Sequence, residues 1–128
     1  MTERCGVVIA HGRLADGLLS AVAHVVGPQE NLWGVSNDGK SGEDLAAAVA
    51  DLLEERGAGR EVVLFSDLGG GSCGQVCRRL LADGTVRAVF FGANLPMLVE
   101  FVFLQDRPFD DFVDAMTEKS RSAVGVRR

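Results

Sequence analysis

Four short apolar runs alternate along the chain with longer segments whose apolar residues recur at helical spacing, and this alternation limits the fold more than any other feature. Residues 5–10, 32–35, 61–66 and 86–91 read as strands. Between the first two, Leu14, Leu18, Ala21, Val22 and Val25 predict a helix over 14–26, ended by Gly27-Pro28. A second helix is expected over 41–56, with Ser41 as N-cap, acidic residues in the first turn and Gly57 as the stop. Further helices are expected over 72–81, over 95–104 with Pro96 in the first turn, and from 109 to about 123. Apolar strands joined by helices predict an α/β protein: a small doubly wound, mainly parallel sheet with helices on both faces and right-handed crossovers.

The chain has 128 residues, enough for one core and too few for two ordinary ones, so 1–128 is read as a single domain. It is 47% hydrophobic and 24% charged, a globular composition. The net charge of −5 argues against nucleic-acid binding, although backbone amides can still hold a local anion. No apolar run reaches the roughly 18 residues of a membrane helix. The start, Met1-Thr2-Glu3-Arg4, leads into a strand without a signal-peptide core, and a cytoplasmic protein is expected.

In such a sheet the C-terminal ends of the strands share one edge, where ligands bind. Three loops leave that edge. His11-Gly12 follows the first strand. Ser66-Asp67-Leu68-Gly69-Gly70-Gly71-Ser72 follows the third. Gly92-Ala93-Asn94-Leu95-Pro96 follows the fourth. Neutral imidazole offers one nitrogen for nucleophilic attack, and an acceptor on the other fixes its tautomer. Asp67 is the candidate acceptor, with a turn or capping aspartate as the plainer alternative. Gly70, Gly71 and Ser72 precede a helix whose first amides and dipole favour phosphate. Ser72 could equally be an ordinary cap. The loop lacks the lysine of G-x-x-x-x-G-K-[ST], and the first loop lacks G-x-G-x-x-G, so neither nucleotide site is expected. The set describes a histidine that accepts a phosphoryl group from, and returns it to, another molecule, with no cofactor.

The three cysteines, Cys5, Cys73 and Cys77, do not read as a disulfide framework. Cys73 and Cys77 are spaced C-x3-C without a partner pair or nearby histidine, and no metal site is expected. Cys77 is expected on the buried face of a helix. His24 reads as a surface or packing histidine, and Asn94 as a helix cap. Trp33 and the phenylalanines are assigned to the core. Arg13 is either a phosphate or partner contact or an exposed loop arginine.

Val7-Val8-Ile9-Ala10-His11-Gly12, Asp67 with Gly70-Gly71-Ser72, and Asn94-Leu95-Pro96-Met97-Leu98-Val99-Glu100 together resemble the enzyme IIA component of the bacterial sugar phosphotransferase system, mannose family. The likeness covers roughly residues 4–124, and the Asn-Leu-Pro-Met-Leu-Val-Glu run is its most specific element. Size and this resemblance together favour a flavodoxin-like strand order. The resemblance implies that His11 takes phosphate from the phosphocarrier HPr and passes it to a IIB component, which phosphorylates the incoming sugar. It implies that Asp67 bonds the imidazole and that Gly70, Gly71 and Ser72 belong to the site. It also implies peripheral association with a membrane IIC/IID complex through a separate IIB protein, and a homodimer with an exchanged C-terminal strand. Two positions depart from the family pattern: Gly69 replaces a bulky residue, and Cys73 replaces a proline, adding an oxidation liability if exposed. After Ala123 only five residues remain for an exchanged strand.

Three other readings remain open on the sequence. One is the related phosphotransfer subunit of dihydroxyacetone kinase, against which the Asn-Leu-Pro-Met-Leu-Val-Glu run speaks. Another is a receiver-type module phosphorylated on Asp67, which leaves His11 idle and lacks an acidic pair for magnesium. The last is a regulatory protein of the same fold that has lost catalysis.

Overall fold

The computed structural model describes residues 4–128; the first three residues of the sequence reading, Met1 to Glu3, lie outside them. The elements run β1 Arg4–Ala10, α1 Leu14–Val26, β2 Leu32–Ser36, α2 Gly42–Arg56, β3 Glu61–Ser66, α3 Gly71–Ala82, β4 Ala88–Phe91, α4 Leu95–Leu104 and α5 Phe109–Ser122. The four strands form one parallel sheet in the order β2-β1-β3-β4. This is the doubly wound, flavodoxin-like arrangement expected.

The helices cover both faces. Cys5, Val7 and Ile9 of β1 with Val62 and Leu64 of β3 pack against Leu45, Val49 and Leu53 of α2 and Val76, Cys77 and Leu80 of α3. The alternate residues, Val8, Val63 and Phe65, pack against α1, α4 and α5. There Phe65, Phe90, Phe101 and Phe112 form a chain of ring contacts with centroids 5.4–6.0 Å apart. Burial of β1 and β3 on both faces explains why their sequences are apolar without alternation.

Most helix ends follow their local signals. Ser41 caps α2 by accepting from Asp44 N–H, and the Asp44 carboxylate returns a bond to the Ser41 amide. Asn94 caps α4 through Met97 N–H at 2.9 Å. Gly27 ends α1 at φ +89°, a backbone that glycine adopts without strain.

Three expectations need correction. β4 starts at Ala88 and not at residue 86, because the Val86 amide bonds Leu80 O and closes α3 instead of joining the ladder. Ser72 does not cap α3: the N-cap is Gly70, and Ser72 lies inside the first turn. The aromatic residues are not all core. Trp33 is buried, but Phe103 is 67% and Phe91 38% exposed. Phe103 falls on the outer side of α4, and Arg78 lies over the Phe91 ring at 4.6 Å.

Candidate functional site

Parallel pairing places the ends of β1 and β3 side by side. Ile9 is in register with Ser66, so His11 and Asp67 emerge together although 56 residues separate them. Asp67 Oδ2 accepts from the His11 backbone N–H and lies 2.9 Å from His11 Nδ1. Asp67 Oδ1 accepts from Leu68 N–H at 2.9 Å. The aspartate side chain is only 8% exposed, whereas that of His11 is 41% exposed. Burial pushes the Asp67 carboxyl up, but the hydrogen bonds and charge interaction from His11, with the Leu68 amide, outweigh it and hold the group below the usual carboxylate value.

Asp67 is therefore an ionised acceptor at neutral pH, and Nδ1 is the donor in their bond. The lone pair of neutral His11 is then on Nε2. That nitrogen faces α3: a Cβ on Gly71 would stand 3.6 Å from it. Gly71 has φ +70°, a backbone that favours glycine, while a Cβ there would make only ordinary van der Waals contact with the ring. No side chain caps the N-terminus of α3, and its first amides have no partner within the helix. The open side of Nε2 thus borders an uncapped helix start, a favourable place for an anion.

The glycine loop is held by a contact that sequence reasoning missed. A Cβ on Gly74 would lie 2.5 Å from Gly69 O and 2.8 Å from Gly69 C. The loop after Asp67 folds back onto the first turn of α3, and only a residue without a side chain lets it approach so closely. A part-buried hydrogen bond from Ser66 Oγ to Leu68 O, at 2.7 Å, tightens the same turn.

A second group missed from sequence is Ser36 and Asn37, just where β2 ends. Ser36 Oγ donates to Gly12 O at 2.6 Å. Asn37 Oδ1 accepts from Gly12 N–H at 3.3 Å, and its amide donates to Ser72 Oγ at 3.4 Å. These bonds tie the histidine loop to β2 and to the start of α3. Ser72 therefore meets Asn37 and does not serve as the helix cap that was its plainer reading. The only available signal was topological: β2 neighbours β1, so its tip had to lie beside His11.

Cys73 is fully buried, not exposed to oxidation, with Sγ 3.7 Å from His11 Nδ1. Burial, followed by the charge of Asp67, pushes its thiol up. His11, Asp67 and Cys73 bring three possible ligand atoms within 4.8 Å of one another. Cys77 packs inside as expected, and burial pushes its thiol up to about 12. His24 and Arg13 are exposed and Asn94 serves as a cap; none of the three joins the His11–Asp67 cluster. Among the described residues no helix is long and apolar enough to cross a membrane.

This geometry can be set beside known proteins. Residues 6–118 match the model of the EIIA-man family, described as the PTS system fructose IIA component. The chain is 31% identical over 121 residues to the PTS system mannose-specific EIIAB component of Escherichia coli, covering 92% of this chain and 38% of that protein. It thus spans well under half the length of the curated relatives it matches. The EIIA component of the phosphotransferase system from Streptococcus agalactiae superposes with a TM-score of 0.83 at 30% identity, over 96% of both chains. The mannose/sorbose specific IIA subunit from Enterococcus faecalis shares the fold, with a TM-score of 0.82 at 23% identity over 100% of this chain and 96% of that one. From the family match and these relatives, the chain belongs to the mannose-family enzyme IIA components of the sugar phosphotransferase system, a family of phosphotransferases.

Proposed function

We propose that this protein carries phosphate as phospho-His11, receiving it from phospho-HPr and passing it to a IIB component during sugar uptake. The observation that carries the reading is the orientation of the imidazole. Nδ1 is held by a buried, ionised Asp67, and Nε2 is left facing the uncapped start of α3. Phospho-HPr brings its phosphoryl group to Nε2. The nitrogen lone pair forms the new P–N bond as the P–N bond to the donor breaks, and the donor imidazole leaves with that electron pair. Positive charge that develops on the His11 ring is stabilised by Asp67, while the Nδ1 proton stays in place. The amides at Gly71 and Ser72 receive the phosphoryl oxygens, with Gly70 shaping the approach. Transfer to IIB reverses these events with a new acceptor.

Phosphorylation of Asp67 itself is disfavoured. Its two oxygens already accept three hydrogen bonds, from the His11 amide, the His11 ring and Leu68. The chain acts as one domain, and a second copy has a place to bind. β4 lies at an open edge of the sheet, while Val124 and Val126 in the tail are 78% and 81% exposed.

The test is incubation with phosphoenolpyruvate, enzyme I and HPr, followed by intact-mass measurement. Wild type gains one phosphate that is lost in acid and survives base, and His11→Ala gains none. Labelling that persists in His11→Ala removes the mechanism.

A further inference from the structure

Cys73 takes no part in this relay, yet its sulfur is directed at the relay's histidine. It occupies the position where the family resemblance expects proline. Sγ is 3.7 Å from His11 Nδ1, and Asp67 Oδ2 is 2.9 Å from the same nitrogen. All three donor atoms lie within 4.8 Å of one another. A thiol, an imidazole and a carboxylate thus converge from α3, the tip of β1 and the tip of β3. Zinc binds this mixture of ligands tetrahedrally, with bonds of about 2.0–2.3 Å, which puts neighbouring donors about 3.3–3.6 Å apart. The sulfur–nitrogen separation is already close to that, and the nitrogen–oxygen pair needs to open by only a few tenths of an ångström. Calcium and magnesium prefer all-oxygen sets, whereas thiolate with imidazole selects zinc-like ions.

We infer that His11, Asp67 and Cys73 form a binding site for a zinc-class divalent cation, and that the bound ion silences the phosphoryl acceptor. The silencing rests on the reading of His11 proposed above; the binding site does not. The ion replaces the hydrogen between Nδ1 and Asp67: the neutral ring binds it through the Nδ1 lone pair, the ring proton moves to Nε2, and only the thiol proton passes to solvent. Asp67 then neutralises the metal and no longer the imidazole. Nε2 then carries the ring proton and has no lone pair with which to attack a phosphoryl group. Entry is at His11, whose side chain is 41% exposed, against 8% for that of Asp67, while Cys73 is fully buried. Three protein ligands leave a fourth position for water.

Metal-free protein is titrated with CdCl2, following the ultraviolet thiolate-to-cadmium band, and with ZnCl2 by calorimetry. Wild type should bind one equivalent of either ion. Cys73→Ser should lose the band, and His11→Ala, altered at a partly exposed side chain, should bind about tenfold or more weakly. Cys77→Ser, one turn further along α3, should retain the band. Absence of binding by wild type overturns the site, as does an unchanged titration for folded Cys73→Ser or His11→Ala. If Cys73→Ser does not fold, Cys73→Ala and the His11 variant decide. Phosphate labelling is then repeated with saturating ZnCl2. Wild-type labelling should stop and return on chelation, while the labelling rate of Cys73→Ser should not respond to zinc. Wild-type labelling that ignores bound zinc overturns the silencing. Failure to label even metal-free protein instead refutes the acceptor reading, and the titrations still judge the site.

Discussion

The two ends of the sheet each carry a carboxylate paired across β1 and β3, and they are built for different tasks. At the N-terminal end, Arg4 donates to Glu61 and to the carbonyls of Gln105 and Arg107, at 2.7 and 2.8 Å for the last two. Its guanidinium lies 4.2 Å from the centroid of Phe112, and Arg87 reaches the other oxygen of Glu61 while lying over Phe109. These bonds lock α5 and the loop before it onto the sheet. At the C-terminal end, Asp67 is equally engaged, but its partner His11 keeps Nε2 out of the network. A polar pair whose bonds are spent on holding neighbouring segments supports the fold; one that holds an atom in reserve can do chemistry.

Substitutions can break this contrast. The largest effect on stability is expected from Arg4→Ala, which strands two carbonyls and half of the Glu61 carboxylate: a loss of about 3 kcal/mol by urea denaturation. Phosphate labelling per folded molecule should be unchanged. Gly74→Ala comes next. Its new methyl meets the Gly69 backbone, with an expected cost of about 1–3 kcal/mol. Because the loop moves as well, its labelling should fall, unlike that of Arg4→Ala. Equal labelling in both variants would erase the proposed division between the two ends.

Asp67→Asn sharpens the comparison at the site end. The ring loses its anionic partner and its tautomer is no longer enforced, so labelling should slow by about tenfold to a hundredfold, with a smaller change in stability. The smallest effect is on acid stability. The native Asp67 carboxyl is held below its unfolded value, so its stabilisation is present above the ordinary carboxylate range near pH 4 and is lost as pH falls through the lowered native value. The stability gap between wild type and Asp67→Asn should therefore narrow on acidification. A gap that widens in acid would contradict the sign of the shift.

The parallel sheet was legible because the inner residues of β1 and β3 are apolar and the intervening segments have helical period, whereas its strand order was read from size and the family resemblance. Parallel topology then implied the meeting of His11 and Asp67, which no local pattern contains. What stayed hidden depends on packing between distant segments. Gly74 looks like an unneeded glycine inside a helix until the Gly69 carbonyl is seen against it. Asn37 sits in a polar stretch that reads only as a turn. Cys73 could have faced either way from sequence; in the fold it is buried beside His11. Phe103 was misassigned because aromatic residues default to the interior, although α4 is apolar nearly all round and has one face too many to bury.

The register of Ile9 with Ser66 has a consequence for how this protein is made. During synthesis the histidine emerges before its aspartate and glycine loop, with two helices and two strands made in between. Closing β3 against β1 is a long-range event of the kind that folds slowly. It is also the event that turns the imidazole and gives it a charged neighbour. A nascent or half-unfolded chain carries the same histidine without its setting, so under the proposed function folding of the sheet itself is what admits the molecule to the relay.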